Sequence, residues 1–408
     1  MLKCKLVKLG SSTSTGCSER RVGERHTAPC VFLIAVFFFA GICAGASQEE
    51  AGELLRRARH LESQGHYEEA ARIYEDLVRG DPRSPQLLND LGQIYAHMGK
   101  YAEAIDAYRK ALKLDPTSTS LLANLGLAYF KSGDFRRAIQ PFTQAAKNDP
   151  HNSRIRTLLA MSWYGVGDYA KASTQFDELA RIEPENTTLL YLLGRSYIWS
   201  GQYEKAIQLF DRMLRHQPDS AATHMLMGEA YDGLDRTDQA IEEYRAAAAV
   251  APQYPGVHFG LGYLFWKKRR FDDAEQEFRQ EVRIGGLVAQ AEAYLGDIAV
   301  RRKQIDQALP LLQQALRLDP NLWVAHFNLG IVYTEQQRYE QAVVALKQAV
   351  RLDPERADAH FRLATAYRAM GRDVDAKVEL AEVQRLQSKK REDLLHKISG
   401  SPPVPPLE

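Results

Sequence analysis

The sequence predicts an all-α fold, a solenoid of short helix hairpins stacked in line, and three regularities carry that reading. Proline falls at 82, 116, 150, 184, 218, 252, 320 and 354, steps of 34 with one slot missing, where Gly286 stands. On the same ruler alanine occupies 70, 104, 138, 172, 206, 240, 274, 308, 342 and 376, ten slots of ten. Glycine sits at 92, 126, 194, 228, 262, 296 and 330, with Ala58, Ala160 and Ala364 in the other three slots. Three residues further on stand Tyr95, Tyr129, Trp163, Tyr197, Tyr231, Phe265, Tyr333 and Tyr367. A fixed period of this size marks a stack of repeated helix pairs, each too small to bury its own apolar stripe.

Residues 1–46 read as a leader. The first 30 carry six basic residues (Lys3, Lys5, Lys8, Arg20, Arg21, Arg25) against Glu19 and Glu24, and residues 31–46 are apolar throughout. Sixteen residues fall short of the roughly 20 that span a bilayer comfortably, and Ala44-Gly45-Ala46 has the small-x-small form of a signal-peptidase site. A cleavable export signal is the favoured reading, an uncleaved membrane anchor the alternative, and either places the repeats outside the cytoplasm, in the periplasm or beyond. A later start codon would explain the long polar lead. All four cysteines (4, 17, 30 and 43) lie here, so the remainder offers no disulfide framework, CxxC site or thiol nucleophile.

Ten repeats of 34 residues start at 51, within a solenoid read as 47–390. In the second, Ser84 can cap the first helix and Pro85 opens it, where a missing N–H costs nothing. Leu88, Leu91, Gly92 and Tyr95 form the apolar stripe, Gly99 ends the helix, and Asp115-Pro116 stops its partner. The first repeat has Arg57 where others have Leu91, Leu125 or Leu159, as a solvated end should. Repeats six to nine replace the hairpin glycine with Asp235, Arg269, Lys303 and Gln337. In repeat seven Glu281 fills a normally small slot and Gly285-Gly286 replaces Asp-Pro, which reads as neutral drift or as a hinge or change of pitch. Residues 391–408 read as a capping extension of the last helix followed by the proline-rich tail SPPVPPLE.

With Gly92, Tyr95, Ala104, Tyr108 and Pro116 in register over most copies, the chain resembles the tetratricopeptide repeat (TPR) family. The resemblance implies a right-handed superhelix whose first helices line a concave groove. It also implies a non-enzymatic role, holding a peptide or another protein; from the residues themselves no metal, cofactor or small-molecule substrate is expected.

Composition agrees. Without the leader the chain holds 47 basic and 50 acidic residues and no long basic run, which argues against a nucleic-acid partner. No HExxH, P-loop or GxSxG occurs. His224, His258, His326 and His360 share one slot on successive repeats, too far apart to chelate one ion, and read as packing residues. Asn124 with Arg154, or Asn328 with Arg362, supply only fragments of a carboxylate clamp. Slots two, five, nine and twelve of each first helix form a second stripe, which the resemblance implies faces the concave side. It carries Tyr164, Tyr191, Arg195, Tyr263 and Trp266, with Trp199 one place beyond, and these six are the candidate peptide-binding residues, since rings on an open surface mark contact sites. Phe259, Phe327 and Phe361 share the stripe but read mainly as packing between helices. The function expected is an exported or membrane-tethered scaffold that holds an extended segment of a partner. The alternative is an assembly factor of an envelope complex that uses the convex surface or the ends of the stack.

Overall fold

The structure is a computed structural model that describes residues 49–399; the leader at 1–46 and the tail at 401–408 lie outside them. The described residues are helices and turns with no strand. They fall into two compact units, residues up to Ala128 and residues from Tyr129 onward.

The first unit contains α1 (49–63), α2 (Tyr67–Gly80), α3 (Pro85–His97) and α4 (Tyr101–Leu114), and α5 (Thr119–Lys131) begins in it. The second opens with α6 (Phe135–Asn148), α7 (Ser153–Gly165), α8 (Tyr169–Ile182), α9 (Thr187–Trp199), α10 (Tyr203–His216), α11 (Ala221–Gly233) and α12 (Thr237–Val250). It continues with α13 (Val257–Lys267), α14 (Phe271–Ile284), α15 (Val288–Arg301), α16 (Ile305–Leu318), α17 (Trp323–Glu335), α18 (Tyr339–Leu352), α19 (Ala357–Ala369) and α20 (Asp373–Ser399). Odd-numbered helices open a repeat and even-numbered ones close it. No helix among the described residues is long and apolar enough to cross a membrane.

The periodic small residues sit where two helices cross. Every alanine of the ten-slot series is buried. A Cβ added at Gly92 would lie 2.6 Å from the Tyr108 ring, and one at Gly194 2.3 Å from Phe210. The crossing therefore takes a large side chain from the second helix only because the first offers none there. Helix starts follow local chemistry: Ser84 Oγ accepts from the Leu87 N–H, and Pro85 is the first helical residue. Arg57 at the first repeat is exposed.

The hairpin turns keep one backbone conformation whatever residue occupies them. Gly99 has φ +73°, and Asp235, Arg269, Lys303 and Gln337 have φ of +57° to +61°. The closing bond is conserved too, from Lys100 N to Tyr95 O in repeat two and from Gln304 N to Ala299 O in repeat eight, both 2.8 Å. Loss of the glycine has left these four turns strained but unchanged.

Repeat seven is braced where two glycines suggested a hinge. Glu281, 0% exposed, accepts through Oε1 from the amides of Gly256 and Leu287 at 2.7 Å each, and through Oε2 from Phe259 N at 3.1 Å. One carboxylate on α14 thus caps the start of α13 and ties it to the start of α15.

In the second unit the opening helices touch one another across repeats, α9 with α11, α15 with α17, and α17 with α19. The closing helices of successive repeats make no comparable approach among the described residues. A stack that packs closer along one layer curves toward it, so the opening helices form the inner layer of this unit.

Candidate functional site

Four of the six candidates come together on repeats four and five. The Tyr164 and Trp199 rings lie 5.5 Å apart, and the Arg195 guanidinium sits 4.3 Å over Trp199 and 5.8 Å over Tyr191. Tyr169, the first residue of α8, completes the group at 4.7 Å from Trp199 and 5.3 Å from Tyr164. Burial raises the Tyr164 hydroxyl pKa, with Arg195 opposing. Trp199 nevertheless remains 42% exposed. Beside it opens a cavity of about 720 Å³ lined by Trp163, Tyr169, Trp199, Arg136, Asp168 and Lys171. Lys171 lies 4.3 Å over the Trp163 ring and bonds Asp168 at 2.8 Å, holding that carboxyl below its ordinary range.

Tyr263 and Trp266 form a second group, on repeats seven and eight, stacked 6.0 Å apart and both against Tyr294 at 5.9 and 5.2 Å. Trp266 is anchored: its indole N–H donates to Asp297 Oδ2 at 2.6 Å. Buried Asp297 also accepts from Arg301 Nε at 2.5 Å and from Asn328 Nδ2 at 3.1 Å. Asp297 thus ties three repeats together, with the Trp266 indole as one of its donors. Among the described residues no ring contact joins the two groups; repeat six places Met225 and Glu229 between them in sequence. Glu229 is exposed, yet surrounding protein raises its carboxyl pKa, with Arg195 pulling the other way.

Tyr169 and Tyr294 escaped the sequence reading. Tyr169 belongs to a helix-opening slot that also holds Tyr67, Tyr101, Phe135, Tyr203, Phe271 and Tyr339, a regularity that could have flagged it. Phe259 packs on Phe278 and Tyr294 at 5.6 and 5.7 Å, and Phe327 stacks on Trp323 at 4.8 Å. Phe361 instead is exposed.

The histidine series is structural. His224, His258 and His360 place Nδ1 2.6–2.7 Å from Glu243, Glu277 and Glu379. In all four, Nε2 reaches the carbonyl of the proline six residues before, at 2.9–3.1 Å. His326 lacks the carboxylate because Ala345 stands in that slot. The clamp fragments are spent as well. Asn124 Nδ2 donates to Asn89 at 2.9 Å, and Asn328 Nδ2 is shared between Asp297 and Val324 O.

Comparison with known proteins follows the same frame. No curated protein sequence matches the chain. Among solved structures, the APC/C hetero-tetramer Cut9–Hcn1 is similar at 16% identity and TM-score 0.46, over 83% of this chain and 87% of that one. Yeast Tom70 is similar at 15% identity and TM-score 0.40, over 86% and 97%. YrrB, described as a TPR protein with an unusual peptide-binding site, is similar at 21% identity and TM-score 0.36, over 44% and 92%. The family model described as Cilia and flagella-associated protein 70 C-terminal domain, a TPR model, matches residues 40–253, more than half of the chain. Models described as tetratricopeptide repeat and TPR repeat match 225–292, 296–337 and 332–371. With these matches laid end to end on helix hairpins of one period, the chain belongs to the tetratricopeptide repeat family.

Proposed function

We propose that this protein is a non-enzymatic scaffold that holds an extended segment of a partner protein on the inner face of repeats four to seven. The observation that carries the reading is Trp199, 42% exposed although two rings and a guanidinium pack against it. Such a platform accepts apolar side chains, with Arg195 and Glu229 as polar contacts. Export or membrane tethering belongs to the proposal and rests on the leader at 1–46, outside the described residues.

A second reading has an observation of its own. Val344 and Val378 share one slot on the closing helices of repeats nine and ten and are each 64% exposed. That patch would suit assembly through the outer surface. A photo-crosslinking amino acid placed at Tyr191 and, separately, at Val344 in the full chain in its native cell separates the two. Groove binding predicts a partner adduct from position 191 that Trp199→Ala removes. Adducts from 344 alone would overturn it.

A further inference from the structure

Arg195 and Glu229 occupy the same slot on α9 and α11, which touch, so they form successive rungs of the inner face. They interact electrostatically, and that attraction opposes the rise in the Glu229 pKa. They form no ion pair, and neither hydrogen bonds to any described residue. Arg195 is held by ring faces alone, those of Trp199 and Tyr191, and its N–H fork has no acceptor among the described residues. Glu229 is exposed and has no donor among the described residues. Two charges of opposite sign on touching helices, neither paired with the other nor hydrogen-bonded to a described residue, stay free to bond a ligand laid across both rungs.

The pair restricts what can bridge it. A carboxylate would gain Arg195 but face Glu229, and an ammonium would gain Glu229 but face Arg195. A neutral amide suffers neither penalty, since its C=O accepts and its N–H donates. Resting on the groove reading, we infer that Arg195 and Glu229 together bind an amide of the partner segment, with the apolar side chain beside it lodged against Trp199 and Tyr164. The amide is either a main-chain peptide group or the carboxamide of Asn or Gln. The groove thus selects an uncharged polar group next to an apolar anchor and rejects acidic and basic residues there.

The test is selection of a phage-displayed random dodecapeptide library on the immobilised full chain, on Glu229→Lys and on Trp199→Ala. Circular dichroism checks that the variants are folded. Wild-type selections should yield an apolar anchor flanked by uncharged residues. Glu229→Lys, with two cations, should instead enrich Asp or Glu at that flank. Arg195→Met, which keeps the stacking but not the donors, should weaken a selected peptide about tenfold or more. N-methylation of the flanking amide then marks a main-chain contact, and Gln→Met or Asn→Leu in the peptide marks a side-chain one. Loss of binding on neither change overturns the inference. So does an acidic flank selected by wild type, or one consensus shared by wild type and Glu229→Lys. Peptides lost on Trp199→Ala but indifferent to positions 195 and 229 would leave the groove reading standing and remove the amide contact. Absence of any peptide that depends on Trp199 removes both.

Discussion

Gly286 exists for Glu281: a Cβ at 286 would stand 2.1 Å from Glu281 Oε1, the oxygen that holds the Gly256 and Leu287 amides. The departures in repeat seven are therefore one co-adapted set. A carboxylate enters a small slot, caps two helix starts, and requires a residue without a side chain opposite it.

Gly286→Ala should displace that carboxylate and strand buried amides, at a cost of about 2–3 kcal/mol. Glu281→Ala should cost a similar amount, and the double variant less than the sum of the two, because both changes break one clasp. Native-state hydrogen exchange reads it directly, through faster exchange at Gly256, Phe259 and Leu287. Unchanged rates at those amides would contradict the clasp.

Gln337 sits in the left-handed region at φ +59°, in a turn whose counterpart in repeat two is Gly99. Gln337→Gly should stabilise by about 1 kcal/mol, relief of steric strain outweighing the added freedom of the unfolded chain. The reverse change, Gly99→Gln, should destabilise by a similar amount. Denaturation of the two variants against wild type gives the signs.

Glu292 occupies the slot that holds histidine in four other repeats. It is buried, its Oε2 has no partner, and burial raises its pKa, with Arg279 opposing. The folded state therefore keeps this proton to a higher pH than the unfolded chain does. The stabilisation from the protonated form is full below the unfolded value, near 4.5. It is lost as pH rises through the raised folded value. Glu292→Gln should flatten that slope and raise stability near neutral pH by about 1–2 kcal/mol. Melting temperature measured from pH 4 to pH 8 on both proteins tests it, and parallel profiles would count against it.

The two inner tryptophans should separate stability from binding. Trp199→Ala removes a half-exposed ring, so the melting temperature should barely move while partner binding weakens by more than about 2 kcal/mol. Trp266→Ala removes a partly buried ring and leaves Asp297 without its indole donor, so it should cost about 3 kcal/mol of folding stability. Calorimetry on both variants checks the contrast, and equal losses of stability would refute it.

The repeat architecture was legible in the residues alone. Ala104 and Gly92 recur because helix crossings admit no larger side chain, and Asp115-Pro116 recurs because each hairpin must stop, so a one-dimensional period reports three-dimensional packing. Helical periodicity put Tyr164, Tyr191 and Arg195 on one stripe with Trp199 one place beyond, and the structure brings these four side chains together. What tertiary structure alone decided was how each ring is used. Trp199 and Trp266 look alike in sequence, but only the second meets a buried carboxylate, supplied by Asp297 from 31 residues further along the chain. Likewise Gly285-Gly286 promises freedom locally, and the constraint arrives from Glu281, whose hydrogen bonds reach 25 residues back to Gly256. Local sequence dictates which conformations are cheap; contacts between repeats dictate which polar atoms are satisfied, and those contacts separate a brace from an open surface.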